Sequence, residues 1–193
     1  MAAPAALNFM LDAVRRAGVE VSFGSNWPAA ATDTIVDCRG LAARDELEDL
    51  RGVRGERAIV RSAEIGLVRP VQLLHPRHPI YIVPWGEGRY MIGATVIETE
   101  DDGPMTVRSA LELLGAAYAV HPAFAEAQIL DLGAGVRPSF PDNMPRAIVR
   151  EGGRRIFVNG AYRHGFLLAP VLAAAVRDYI ESGETRSPLL IVE

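Results

Sequence analysis

The sequence predicts a mixed fold, α+β with α/β flanks, in which an antiparallel sheet is inserted into a second layer built from both chain ends. Three observations lead there. Helical and strand patterns alternate near both ends of the chain. The middle carries successive strand-like runs with almost no helical periodicity. The length, 193 residues, suits one sizeable core or two small ones.

The elements follow in order. Ala6, Phe9, Met10, Ala13 and Val14 recur at helical spacing, so residues 5–17 read as a helix that Gly18 stops. "VEVSF" (19–23) and "TIVDC" (34–38) read as short strands, and a polar helical stretch follows from Ala42 to Leu50. After Gly52, "ERAIVRSA", "PVQLLH", "PIYIVPW" and "RYMIGATVIE" read as strands, with "WGEG" as the turn of a hairpin. "TVRSALELLGAAYAV" (106–120) is an amphipathic helix stopped by "HP", and "AQILDLGAGVRPSF" (127–140) returns to extended chain. "PDNMP" is a turn, "IFVNG" (156–160) a strand, and Phe166 to Ile180 a helix that Gly183 can cap. No internal repeat or low-complexity tract interrupts this order.

Composition narrows the function classes. A net charge of -4 and a pI near 5.6 argue against a nucleic-acid partner. All 20 basic residues are arginine, scattered without a basic stripe. Cys38 is the single cysteine, so no intrachain disulfide can form and a reducing, cytoplasmic location is expected. Met1 to Gly18 lacks the pattern of a signal peptide, and the longest apolar run, Phe166 to Val176, is too short to span a bilayer.

Two segments carry chemistry. In "NGAYRHGFLLAP" (159–170) a strand ends in glycine and feeds a helix start, where backbone amides and the helix dipole favour negative charge. Pro170 belongs in a first turn, which puts the helix start near Gly165 or Phe166 and leaves the amides of Phe166, Leu167 and Leu168 unpaired. A packed helix with a glycine turn and a solvated Arg163 is the simpler account of this segment taken alone. In "GVRPSFPDNMP", Arg137 interrupts an apolar strand, and a buried guanidinium needs a partner. Asp131 or Asp142 could be that partner, and a ligand carboxylate fits equally well, since charge-assisted bonds are worth about 1.5–3 kcal/mol each. On "IYIVP", Tyr81 and Val83 share one strand face, and Ile80 and Ile82 the other. Core packing of the Tyr81 ring is the simpler reading from spacing.

Other motifs fall away. "GAGVR" lacks the third glycine and the following helix of a dinucleotide fingerprint. His75 and His78 in "HPRHP" are two ligands without a third, and a turn explains them better than a metal. His121 reads as a helix terminator and Cys38 as a buried thiol. No G-x-S-x-G and no P-loop occurs.

Taken together, "IYIVPWGEGRYMIGAT", "GAGVRPSFPDNMP" and "NGAYRHGFLLAP", with "DCRGLAAR" before them, resemble the D-amino-acid-oxidase-type FAD-dependent flavoproteins. Within that family they are most similar to the glycine oxidases of thiamine biosynthesis (ThiO type), from about Gly18 to Ile180. The resemblance implies a partial FAD-binding α/β domain in separate stretches (1–58 and 139–193) around an antiparallel substrate-binding domain (59–138). It assigns Arg137 to the substrate carboxylate, Tyr81 to a further hydrogen bond on that carboxylate, and the backbone around Arg163 to the substrate ammonium. Gly160, His164 and Gly165, Phe166, Leu167 and Leu168 would lie against the flavin.

The implied reaction is oxidative deamination of glycine or a similar small amino acid. The family's opening strand–glycine loop–helix, the dinucleotide-binding βαβ that holds the FAD pyrophosphate, has no counterpart here, so the match is to the C-terminal portion and weak FAD binding, or none, is expected of this chain alone. "PRAIV" (145–149) stands where the family often has Pro-x-Ile-Gly, and His164 where it often has Asn. The rival readings are a non-catalytic remnant serving as a carboxylate-binding or oligomerisation module, and an enzyme of D-amino-acid dehydrogenase or sarcosine-oxidase-like specificity. An exposed sheet edge would favour pairing with a second copy or a complementary N-terminal chain.

Overall fold

The computed structural model describes residues 3–25, 33–184 and 186–193. Three α-helices form among the described residues: α1 (Ala3–Arg16), α2 (Val107–Val120) and α3 (Gly165–Ser182). Nine strands accompany them among the described residues: β1 (Ile35–Asp37), β2 (Arg51–Arg61), β3 (Val71–Leu73), β4 (Ile80–Gly86), β5 (Arg89–Gly93), β6 (Gln128–Ser139), β7 (Arg146–Arg150), β8 (Arg155–Asn159) and β9 (Leu190–Val192). The chain divides into two compact units, each made of three stretches: Met1–Trp27, Glu56–Thr95 and Gly103–Ala134 in the first, and Pro28–Gly55, Val96–Asp102 and Gly135–Glu193 in the second.

The first unit centres on antiparallel strands, in a five-stranded sheet of order β3-β4-β5-β2-β6. Period-two alternation sorts its side chains. Ala58, Val60, Ile80, Ile82 and Ile92 point to one face and are buried with Leu113 and Ala117 of α2, one helical turn apart. Each fully buried aliphatic side chain contributes about 1.5–3 kcal/mol to this core. Thr106 caps α2 by accepting from the Ser109 amide at 3.3 Å. The buried Glu56 carboxylate reaches the same helix end, accepting from the Thr106 amide at 3.1 Å. The "WGEG" hairpin forms as expected, with Glu87 (φ 53°) and Gly88 (φ 67°) both left-handed between the paired Gly86 and Arg89.

The second unit is a mixed sheet, β1-β8-β7-β9, covered on both faces. β1 runs parallel to β8, β7 antiparallel to β8, and β9 parallel to β7. Ala147, Val149 and Ile156 pack with Val176 of α3, whereas Ile148 and Phe157 pack on the opposite face with Ala43, Leu47, Leu50 and Phe140. A bidentate Arg44–Glu100 ion pair and the Gly52 amide, 2.8 Å from the Glu100 carboxylate, hold Glu100 at the rim of this unit.

Those contacts lower the Glu100 pKa to about 2, the Arg44 hydrogen bond acting most strongly and the Gly52 amide next. A carboxylate whose folded pKa is depressed contributes stability above its unfolded value and loses it as pH falls through the folded one. The Glu100 contribution is therefore present above about pH 4.5 and gone near pH 2. Melting temperatures of the wild type and Glu100→Gln, expected to differ at pH 5, should converge as the pH approaches 2.

Several expectations need correction. Residues 19–23 form no strand. They have the alternation but no neighbouring strand to pair with, and Phe23 stays 74% exposed, its ring 6.0 Å from the Arg15 guanidinium. The stretch from Ala42 to Leu50 is not a helix of that length but a 3-10 turn, Gly40–Asp45, followed by bends that bury Ala43, Leu47 and Leu50. β5 ends at Gly93, well short of residue 98. Two strands, β7 and β9, went unforeseen. Their apolar runs are only three residues (147–149) and four residues (189–192) long, and pairing within the sheet is what makes them strands.

Candidate functional site

Three stretches of the second unit converge at the C-terminal end of β8. Asn159, buried at the strand's last position, donates from Nδ2 to the Gly40 carbonyl at 2.9 Å and accepts the Gly160 amide on Oδ1, also at 2.9 Å. Gly160 turns the chain with φ +76°, where only glycine is unstrained. A Cβ there would overlap the ring of the buried Phe140 and lie 3.4 Å from the Met144 carbonyl. Two residues on, the Tyr162 amide donates to the Pro138 carbonyl at 3.2 Å. The glycine turn is thereby tied to the end of β6, one residue beyond Arg137. Tyr162 is itself left-handed at φ 49°, so the turn holds a strained non-glycine residue.

Arg137 is half-buried, and its guanidinium lies across the backbone of Gly55 on β2. The two acids that sequence offered as partners each pair with another arginine: Asp131 with Arg57 at 2.7 Å, and Asp142 with Arg146 at 2.6 Å. The Met144 amide and then the Arg146 charge hold the Asp142 carboxyl below its ordinary pKa. Within the first unit, Tyr81 lies on β4 opposite Gly93 of β5 and is half-buried. Its ring packs 3.0 Å from where a Gly93 side chain would begin. Ile80 and Ile82 occupy the buried face, so the alternation is as expected, but Tyr81 is not a core residue.

α3 begins at Gly165 with His164 as its N-cap, and Gly183 closes it with φ 72° and its amide on the Tyr179 carbonyl at 2.8 Å. Two details differ from expectation. The amides of Leu167 and Leu168 are not unpaired: both donate to the His164 carbonyl, at 3.0 and 2.9 Å. Among the described residues, the first-turn amides without an acceptor are those of Gly165 and Phe166. Pro170 is the sixth residue of the helix, beyond its first turn, and the helix continues through it. The side chains of Arg163 and His164 are exposed.

A groove of about 620 Å3 runs between α3 and strands β1 and β8. Val36, Val158, Ala169 and Leu172 give it apolar walls, and Asn159, Ala161 and Gly165 line its end at the glycine turn. Arg137 does not line it. Cys38 does, and as a residue it is exposed rather than buried as expected. Loss of water against the groove wall, and the neighbouring Asp37 charge, push its thiol pKa up, which disfavours the reactive thiolate. Among the described residues no group of three or more His, Cys, Asp or Glu could hold a metal, and no helix is long and apolar enough to cross a membrane.

Residues 3–179 match the FAD dependent oxidoreductase (DAO) family. The chain belongs to this family. Over 144 residues, 75% of this chain and 43% of the relative, it is 60% identical to the thiamine biosynthesis oxidoreductase ThiO of Rhizobium etli. It is 32% identical to the glycine oxidase of Bacillus subtilis, covering 72% of this chain and 37% of the relative. Among solved structures, glycine oxidase from Geobacillus kaustophilus superposes with a TM-score of 0.69 at 26% identity, over 81% of this chain and 43% of that one. This DAO-family chain therefore spans less than half the length of the relatives it matches.

Two positions of the site escaped sequence reasoning. Gly55 lies under the Arg137 guanidinium, and its signal was a glycine inside a strand, which marks close approach by another group. Asn159 ties the glycine turn to Gly40, and its signal was an Asn-Gly pair ending a strand.

Proposed function

We propose that the chain contributes to FAD-dependent oxidative deamination of glycine or a similarly small amino acid, as in thiamine biosynthesis, in the cytoplasm. The observation that carries this reading is the Arg137 guanidinium, laid over a glycine and one residue from the turn that opens α3. Family membership and the ThiO and glycine oxidase relatives support it. In this reading 59–138 carries the substrate sheet, and 1–58 and 139–193 belong to the flavin-binding layer.

Arg137 pairs with the substrate carboxylate through two parallel N–H donors, an arrangement that fixes direction as well as charge. On the resemblance alone, Tyr81 gives that carboxylate a further hydrogen bond, and the carbonyls around Arg163 receive the ammonium. The features here fit a flavin. A left-handed Gly160 opens the turn, the amides of Gly165 and Phe166 face outward from a helix start, and an apolar groove adjoins them. Gly160, His164, Gly165, Phe166, Leu167 and Leu168 would hold the ring edge, the first-turn amides stabilising negative charge there. The chemistry that bound FAD supplies is two-electron oxidation of the amine carbon. The protein's own part is to orient that carbon and exclude bulkier substrates, which needs no acid–base side chain.

The test is direct. The full chain, supplied with FAD in large excess to offset weak binding and with glycine, should release peroxide and ammonia, with the visible spectrum reporting flavin uptake. Flavin uptake without turnover of glycine, sarcosine or D-alanine, followed by peroxide and by dye reduction, would overturn the proposal.

A further inference from the structure

We infer that Gly55 is a positioning residue: its missing side chain is what allows the Arg137 guanidinium to lie flat against β2 in carboxylate-binding geometry. The inference rests on the proposed role of Arg137 and deepens it, because it names what sets the guanidinium's place. A Cβ built on Gly55 would fall within the van der Waals radii of Cζ, Nη1 and Nη2 of Arg137 together. The conflict is thus with the planar head of the side chain, not its stem. Backbone conformation does not demand glycine here, since the φ of Gly55 lies outside the left-handed region. Space does.

Glycine elsewhere in the same unit shows the contrast. Gly135, two residues before Arg137 on β6, has open space where its side chain would be. An alanine at 135 meets nothing, and an alanine at 55 displaces the guanidinium. An arginine pressed onto a bare peptide also loses few rotamers when a ligand binds. Preorganisation of that kind favours a small monocarboxylate presented end-on.

A four-member cycle tests this in the full chain: wild type, Gly55→Ala, Arg137→Ala and the double variant, with Gly135→Ala as control. Thermal melts and glycolate affinity, measured by the shift of backbone amide resonances on titration, are read on each. Gly55→Ala should lower Tm by roughly 5 °C when Arg137 is present and leave it nearly unchanged when position 137 is alanine. It should weaken glycolate binding about tenfold with Arg137 present and not at all in the Arg137→Ala background, with Gly135→Ala matching wild type.

Should Gly55→Ala fail to fold, a folded double variant supports the inference, and a double variant that also fails overturns it. Additive melting effects, or unchanged glycolate affinity in Gly55→Ala alongside a loss in Arg137→Ala, overturn the inference and leave the carboxylate role standing. If Arg137→Ala binds glycolate like wild type, the carboxylate role falls and the inference with it.

Discussion

Replacing Arg137 with alanine should raise the KM for glycine by about two to four orders of magnitude in the FAD-loaded protein. The magnitude follows from the chemistry. Two charge-assisted hydrogen bonds to a carboxylate are worth about 1.5–3 kcal/mol each, and every 1.4 kcal/mol is tenfold. Arg137→Lys should recover only part of the loss, because an ammonium keeps the charge without the paired, planar donors. Most of the effect should appear in KM, since the proposed contact is to a group that takes no part in bond breaking. Steady-state kinetics with glycine measure it, and a KM within twofold of wild type in Arg137→Ala would remove the residue from the substrate site.

The second large effect is on stability. Gly160→Ala should cost about 2–4 kcal/mol, or roughly 5–15 °C in Tm, from two causes that add. The left-handed φ of +76° strains any residue with a Cβ. That Cβ also drives into the ring of Phe140, which is only 2% exposed and packs with Ile148 and Phe157. Neither strain can be relieved locally. Asn159 pins the Gly160 amide, and Tyr162 is tied to Pro138. Differential scanning calorimetry on Gly160→Ala beside Gly135→Ala, whose side chain meets open space, separates the two glycines.

Much of this arrangement was legible in the sequence where local chemistry decides the structure. Gly18, "WGEG", "PDNMP" and Gly183 each set a turn or cap by their own conformational preference, and each did so in the fold. The alternation around Tyr81 placed it opposite Ile80 and Ile82 correctly. What stayed illegible depends on partners distant in the chain. "RAIVR" and "LIV" are strands only because 147 meets 190 and 148 meets 157. "VEVSF" has the pattern of a strand and lacks such a partner. In the candidate site, Arg137 and the glycine turn stood out because a charge in an apolar strand and a strand–glycine–helix passage are local signals. Gly55 gave only the general signal of a glycine inside a strand, because what it meets is a guanidinium 82 positions further along.

The interleaving of the two units carries its own consequence for handling the molecule. Since each unit is assembled from three separate stretches, no single proteolytic nick can liberate either as an intact piece. A cleavage after Asp142, for instance, would strip β7, β8, β9 and α3 from the residues at 40–50 that pack with them, leaving two fragments that each lack a finished interior. Closing the core around Phe140 must likewise bring together Ala43 and Phe157, more than a hundred residues apart, and such long-range closure slows folding.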